Sequence, residues 1–189
     1  MPPSRPFLRR LAFIVAVAVA SGTAWMVSWQ VAQAALSFTQ VRNGITLVYI
    51  PAGVRLVILL VSGFWGAVGI ALAFPLALLQ PFQDLTWQEI VTYSAIAAFV
   101  PYATIYAVCR AANISLDLGS LRSIHLPLLA VAVSITGAAS YAAALAAFGR
   151  FQPSMFIEDV TAMSAGDFLG CFAVILLVRL GIASRKNRD

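Results

Sequence analysis

The sequence predicts an all-α, polytopic membrane bundle of about six transmembrane helices with both termini in the cytoplasm, and three observations carry that prediction. Hydrophobic residues fill 61% of the 189 positions and charged residues only 10%, whereas soluble domains are roughly one-quarter charged. The apolar residues gather into six runs near the length of about 20 residues that crosses a bilayer as a helix. Basic residues cluster so that an even number of crossings places them all on one side.

The runs cover 11–36, 46–62, 64–79, 90–108, 124–148 and 162–182, within a single membrane domain spanning 1–189. The first begins "RPFLRRLAFIVAVAVASG", with the basic and apolar regions of a secretory signal, and "VAQAAL" offers a small-residue cleavage-like site. Its apolar character continues through Trp25, Met26, Val27 and Trp29, longer than a usual signal core, which favours an uncleaved helix. Only Gly63 and its neighbours separate the second and third runs, so these form either a tight helical hairpin or a pair with one re-entrant member. The segment "RAANISLDLGSLRSIH" between the fourth and fifth reads as a short interfacial helix or as an ordinary connector.

Orientation follows from the charges. Arg5, Arg9 and Arg10 precede the first run, Arg110 and Arg122 flank the loop between the fourth and fifth, and Arg185, Lys186 and Arg188 follow the sixth. The opposite loops carry Arg42 and Arg150 against Asp84, Glu89, Glu158 and Asp159. The basic clusters mark the cytoplasmic side. They also account for the net charge of +5 through attraction to anionic lipid, so a nucleic-acid partner is not needed.

Several function classes are excluded. Six spans leave little chain for a soluble catalytic module. With one histidine, His125, and with Cys109 and Cys171 in separate apolar runs, no metal cluster at ligand spacing is expected and no cofactor is called for. No nucleophile lies beside a base and no glycine-rich loop cradles a phosphate, so the chain does not read as an enzyme.

The informative residues are the charges placed in lipid. Arg55 stands within the second run just after Pro51, Ala52 and Gly53, and Asp167 stands near the start of the sixth. With six crossings both runs travel in the same direction, and their offsets from the outer end place the two charges on the order of 6 Å apart in depth. Either charge alone in lipid costs about 2.5–3.5 kcal/mol. They are therefore expected to pair in the outer half of the bundle, either lining a small polar cavity or as a structural tie, unless Arg55 snorkels to the interface. The Pro-Ala-Gly break frees backbone groups that lipid cannot satisfy, which fits a buried or wet location.

Two further groups stand out. Asp84, Trp87, Glu89, Phe156, Glu158 and Asp159 form an acidic and aromatic set in the outer loops, suited to a vestibule or to interfacial anchoring. Ala12, Ala16, Ala20 and Ala24 repeat every fourth residue along the first run, and Gly63, Gly66 and Gly69 repeat every third residue at the start of the third run. Small-residue stripes let helices approach closely, within the bundle or toward a partner.

The run "YIPAGVRLVILLVSGFWGAVGIALA", with "GDFLGCFAVILL" near the end, resembles the MASE1-type bacterial integral membrane sensor domains, which carry a proline-alanine-glycine step and then a glycine-rich span. Arg55 departs from that pattern. The resemblance implies a sensory module in the bacterial cytoplasmic (inner) membrane that binds an unknown small molecule and signals through a separate membrane or cytoplasmic protein partner. The overall architecture, with the alanine stripe at Ala12, Ala16, Ala20 and Ala24, is also similar to the substrate-binding subunits of energy-coupling-factor transporters, which implies transport instead. A structural subunit that packs against other membrane proteins is the third reading.

Overall fold

The computed structural model describes residues 5–36, 40–42, 45–46, 48–78, 84–114, 124–150 and 153–186. Its elements in order are α1 (Arg5–Leu36), β1 (Gln40–Arg42), β2 (Ile45–Thr46), α2 (Ile50–Leu78), α3 (Trp87–Ala111), α4 (His125–Ala147), a 3-10 turn (Pro153–Met155) and α5 (Phe156–Lys186). Among the described residues, five helices are long and apolar enough to cross a membrane. Helices dominate because lipid offers backbone groups no hydrogen-bond partners, so a crossing segment satisfies them internally. The strands form one small antiparallel ribbon, with Gln40 opposite Thr46.

The expected count of six changes to five because 46–62 and 64–79 join into one element. No loop parts them: within α2 only Gly63 leaves helical geometry, at φ 54° and ψ −135°. The boundaries shift as well. Thr46 belongs to β2, and the helix starts at Ile50 with Pro51 in its first turn, where a missing N–H costs nothing. The last helix starts at Phe156 rather than 162. The proposed interfacial segment falls largely on 115–123, outside the described residues.

The chain doubles back at Gly63. A Cβ on Gly66 would lie 3.2 Å from the carbonyl oxygen of Ile58, although eight residues of straight helix span about 12 Å. Helix α3 serves as a ruler for the two arms. Arg55 of the first arm reaches Ala97, Phe64 beside the turn meets Phe99 and Tyr102, and Phe74 of the second arm returns to Tyr141, which contacts Tyr93. The arms, 50–62 and 64–78, are about 20 and 22 Å long at 1.5 Å rise per residue. Each is shorter than the about 30 Å hydrocarbon core.

A positive φ of this kind suits glycine because it has no Cβ to clash, and nothing lies within 4 Å of the Cβ position at Gly63. Gly63→Ala is therefore expected to destabilise through backbone strain alone, by about 1–3 kcal/mol, read as a lower unfolding midpoint in detergent. An unchanged midpoint would show that the turn has another conformation in solution.

Without a hydrophobic drive between helices in lipid, close van der Waals packing holds such a bundle. The second arm of α2 runs parallel to α1, where a Cβ on Gly22 would meet the Gly69 carbonyl oxygen at 2.6 Å and one on Gly69 would meet the Ala18 backbone. Trp25, wholly buried, stacks on Phe74 at 5.1 Å. The first arm runs parallel to α5, with the Tyr49 N–H donating to the Gly166 carbonyl at 3.0 Å. Helices α3 and α4 are antiparallel, joined midway by the Thr104 and Thr136 hydroxyls at 2.8 Å.

The small-residue stripes divide. Gly69 packs α2 on α1, Gly66 faces the opposite arm of its own hairpin, and Gly63 is the turn rather than a packing residue. Ala12, Ala16, Ala20 and Ala24 are all exposed. The buried face of α1 is instead built on Ser21, Gly22, Trp25 and Trp29.

Candidate functional site

The two lipid-depth charges meet. Arg55, 6% exposed, donates from Nη2 to Asp167 Oδ2 at 3.0 Å and from Nη1 to the Ala97 carbonyl at 3.2 Å. One side chain thus ties α2 to both α3 and α5.

The Ala97 contact has a local cause. Pro101, four residues further along α3 and buried inside it, has no N–H to give to that carbonyl. An acceptor left unpaired away from water costs free energy comparable to a lost hydrogen bond, and the Arg55 guanidinium supplies the missing donor. The expected break at Pro51, Ala52 and Gly53 is absent: these residues form the regular first turn of α2, within which only Gly63 leaves helical geometry, because proline is tolerated at a helix start. All three are buried, Ala52 N–H donates to the Tyr49 carbonyl at 3.0 Å, and a Cβ on Gly53 would collide with the Gly170 carbonyl and the Val174 side chain. Only glycine lets the start of α2 lie against α5 closely enough for Arg55 to span the gap.

The tie leaves polar capacity unused. Arg55 Nε, Ser134 Oγ and Ser164 Oγ are buried without a hydrogen-bond partner. Ser164 precedes Asp167 by three residues on α5, and Ser134 precedes Gly137 by three on α4, so each pair shares a helix face. Gly137 borders the charge itself: the nearest atom to its Cβ position is Asp167 Oδ2 at 4.0 Å, and no other heavy atom lies as close. The Asp167 side chain keeps 16% of its exposure. Buried polar atoms thus lie on α2, α4 and α5, where Arg55, Gly137 and Asp167 come together.

The acidic and aromatic set is spread over the starts of α3 and α5 and the residue Asp84 that precedes α3. Trp87 and Glu89 belong to the first turn of α3, and Phe156, Glu158 and Asp159 to the first turn of α5. Trp87 is 75% exposed, Asp84 and Glu158 are exposed, Phe156 is half-buried and Asp159 is buried. Glu89 is committed elsewhere. It closes a capping box with Thr86, accepting from the Thr86 N–H at 2.8 Å while the Thr86 hydroxyl accepts from the Glu89 N–H at 3.3 Å.

Arg150 completes that arrangement. It donates from Nε to Glu89 Oε1 at 2.6 Å, from Nη2 to Glu89 Oε2 at 3.1 Å and to the Asp84 carbonyl at 2.6 Å. This two-pronged grip is the strong form of an arginine–carboxylate pair, and it raises the Arg150 pKa further above its ordinary range. Gly149, at φ 70°, ends α4 and turns Arg150 toward α3. A depression of about 450 Å³ is lined by Thr86, Gln88, Glu89, Phe148, Gly149 and Arg150. Arg150→Ala is expected to speed amide exchange at Thr86 and Glu89 while leaving α5 unaffected. Unaltered exchange at those two positions would mean that the clamp holds nothing.

Sequence reasoning missed three features of these sites. The Ala97 acceptor is signalled by Pro101 four residues on. Ser134 and Ser164 are signalled only by being polar within apolar runs, a weak mark. The Glu89–Arg150 clamp joins residues 61 apart and has no local mark. No family model, no curated protein and no solved structure matches this chain.

Proposed function

We propose that this chain is a receptor module of the bacterial cytoplasmic membrane, which binds a small ligand beside Arg55 and Asp167 and passes the resulting change in helix packing to a separate protein. The observation that carries the reading is the partly used Arg55 tie. It links α2, α3 and α5 through one guanidinium, and its Nε stays unpartnered in a buried patch. A ligand that takes over either contact alters the relation of three helices at once. In this reading α2 enters and leaves on the same face, so the N-terminus and the C-terminus share a side. The clusters Arg5, Arg9, Arg10 and Arg185, Lys186, Arg188 make that side cytoplasmic. The sensory reading agrees with the resemblance to MASE1-type domains.

The outward-facing stripe Ala12, Ala16, Ala20 and Ala24 favours a second reading, a substrate-binding subunit that docks a membrane partner of a transporter. One experiment addresses both: gentle detergent extraction from native membranes, followed by mass spectrometry of copurifying proteins. A cyclase, phosphodiesterase or kinase supports the receptor, and ATPase with coupling subunits supports transport. Signalling by such a partner that is unchanged in Arg55→Ala would remove the role assigned to the tie.

A further inference from the structure

We propose that the Arg55–Asp167 pair is a binding site for a small zwitterion, an α-amino acid with little or no side chain. This rests on the receptor reading and names its ligand class.

The pairing is a poor use of the guanidinium. The Nε and Nη2 edge of an arginine presents two parallel N–H groups that match the two oxygens of a carboxylate. Here Asp167 engages that edge through Oδ2 on Nη2 alone, and Nε is buried without a partner. A carboxylate that occupied both donors would bind Arg55 better than Asp167 does, with Nη1 still on the Ala97 carbonyl.

Charge then selects the ligand. A simple anion on Arg55 would strand the Asp167 carboxylate in the bundle, and a simple cation on Asp167 would strand the guanidinium. Leaving a buried charge unpaired is far more costly than keeping both paired. A molecule carrying a carboxylate and an ammonium on neighbouring atoms gives each protein charge a partner and adds no net charge. Gly137 has no side chain, and its Cβ position lies 4.0 Å from Asp167 Oδ2, so the ammonium would approach the carboxylate over this glycine. The hydroxyl of Ser164, three residues before Asp167 and buried without a hydrogen-bond partner, offers a further acceptor of the kind that an ammonium needs. The tight packing of Gly53 against Gly170 and Val174 limits the side chain to about the size of a hydrogen, methyl or hydroxymethyl group.

The test is equilibrium dialysis of the detergent-purified full chain against radiolabelled glycine, L-alanine and L-serine, with propionate and ethylammonium as single-charge counterparts. The expected result is saturable binding of at least one amino acid, at least tenfold tighter than either counterpart. Arg55→Lys keeps the charge but loses the two-pronged edge and should weaken the amino acid at least tenfold. Asp167→Asn leaves Arg55 unbalanced and should reverse the preference, so that propionate binds more tightly than the amino acid. A merely structural pair would not produce that reversal, and monodisperse elution on size exclusion shows that each variant is folded. Propionate bound best by the unaltered chain would overturn the zwitterion assignment and leave the receptor reading standing. Absence of binding by every probe would also overturn the assignment, and the copurification experiment decides the receptor reading separately.

Discussion

Arg55→Ala is expected to destabilise the protein by about 3–5 kcal/mol, the usual loss when one partner of a buried ion pair is removed. The loss has two parts. Asp167 is left buried without its guanidinium, and the Ala97 carbonyl, already without a donor from Pro101, is left unpaired. Asp167→Ala is expected to cost a comparable amount by stranding Arg55. Because the two losses share one contact, the double variant should cost clearly less than their sum, and strict additivity of unfolding midpoints in detergent would show that the charges do not interact. The second part can be read separately. Pro101→Ala supplies an N–H for Ala97, so its stabilising effect should be larger in the Arg55→Ala background than in the unaltered chain, by about 1 kcal/mol. Equal effects in both backgrounds would place the Ala97 contact outside the energetics of the site.

Gly170→Ala should be nearly as severe, on the order of 3 kcal/mol, combining an overpacked contact with a strained ion pair. The Cβ position at Gly170 overlaps the Tyr49 carbonyl, and that of Gly53 on the facing helix lies 2.5 Å from the Gly170 carbonyl. Backbone meets backbone on both sides, so no flexible side chain can yield. The added methyl has to push α5 off α2, and Asp167, one turn away, moves with it. The consequence is specific: Asp167→Ala should cost less in the Gly170→Ala background than in the unaltered chain, because the pair is already weakened there. A neutral Gly170→Ala would mean that α2 and α5 are not in backbone contact.

Both predictions concern a pair whose meeting was legible from the sequence. Arg55 and Asp167 are buried charges in apolar runs, the penalty for leaving them alone is large, and counting residues from the helix ends put them at similar depth. Burial cost turned two isolated residues into an expectation of contact. The same reasoning did not reach Ala97, although the rule for proline is local, because the donor that satisfies it lies 42 residues away. Nor did it reach Glu89 with Arg150. Both stand near the ends of runs, where charges are ordinary, so no energetic anomaly points from one to the other.

The faces of α1 show a different limit. In a water-soluble helix the polar side faces out, and the apolar stripe marks the core. In α1 nearly every position is apolar or small, and lipid and protein interior are alike in polarity. Two faces were therefore available, Ala12, Ala16, Ala20 and Ala24 or Ser21, Gly22, Trp25 and Trp29. The chain buries the second because Gly22 meets the backbone of Gly69 and Trp25 finds the ring of Phe74.

The sequence alone determined that the chain is built mainly of helices apolar enough to cross a membrane, roughly where those segments lie, and that Arg55 and Asp167 need each other. These follow from composition, length and the cost of charge in lipid, all of which act residue by residue. Only the tertiary structure decided between the hairpin and the re-entrant pair that the sequence left open at Gly63, which face of α1 is buried, and that Arg55 serves the carbonyl freed by Pro101 as well as Asp167. Those outcomes depend on which surfaces fit at contact distance, a property of pairs of helices that no single segment carries.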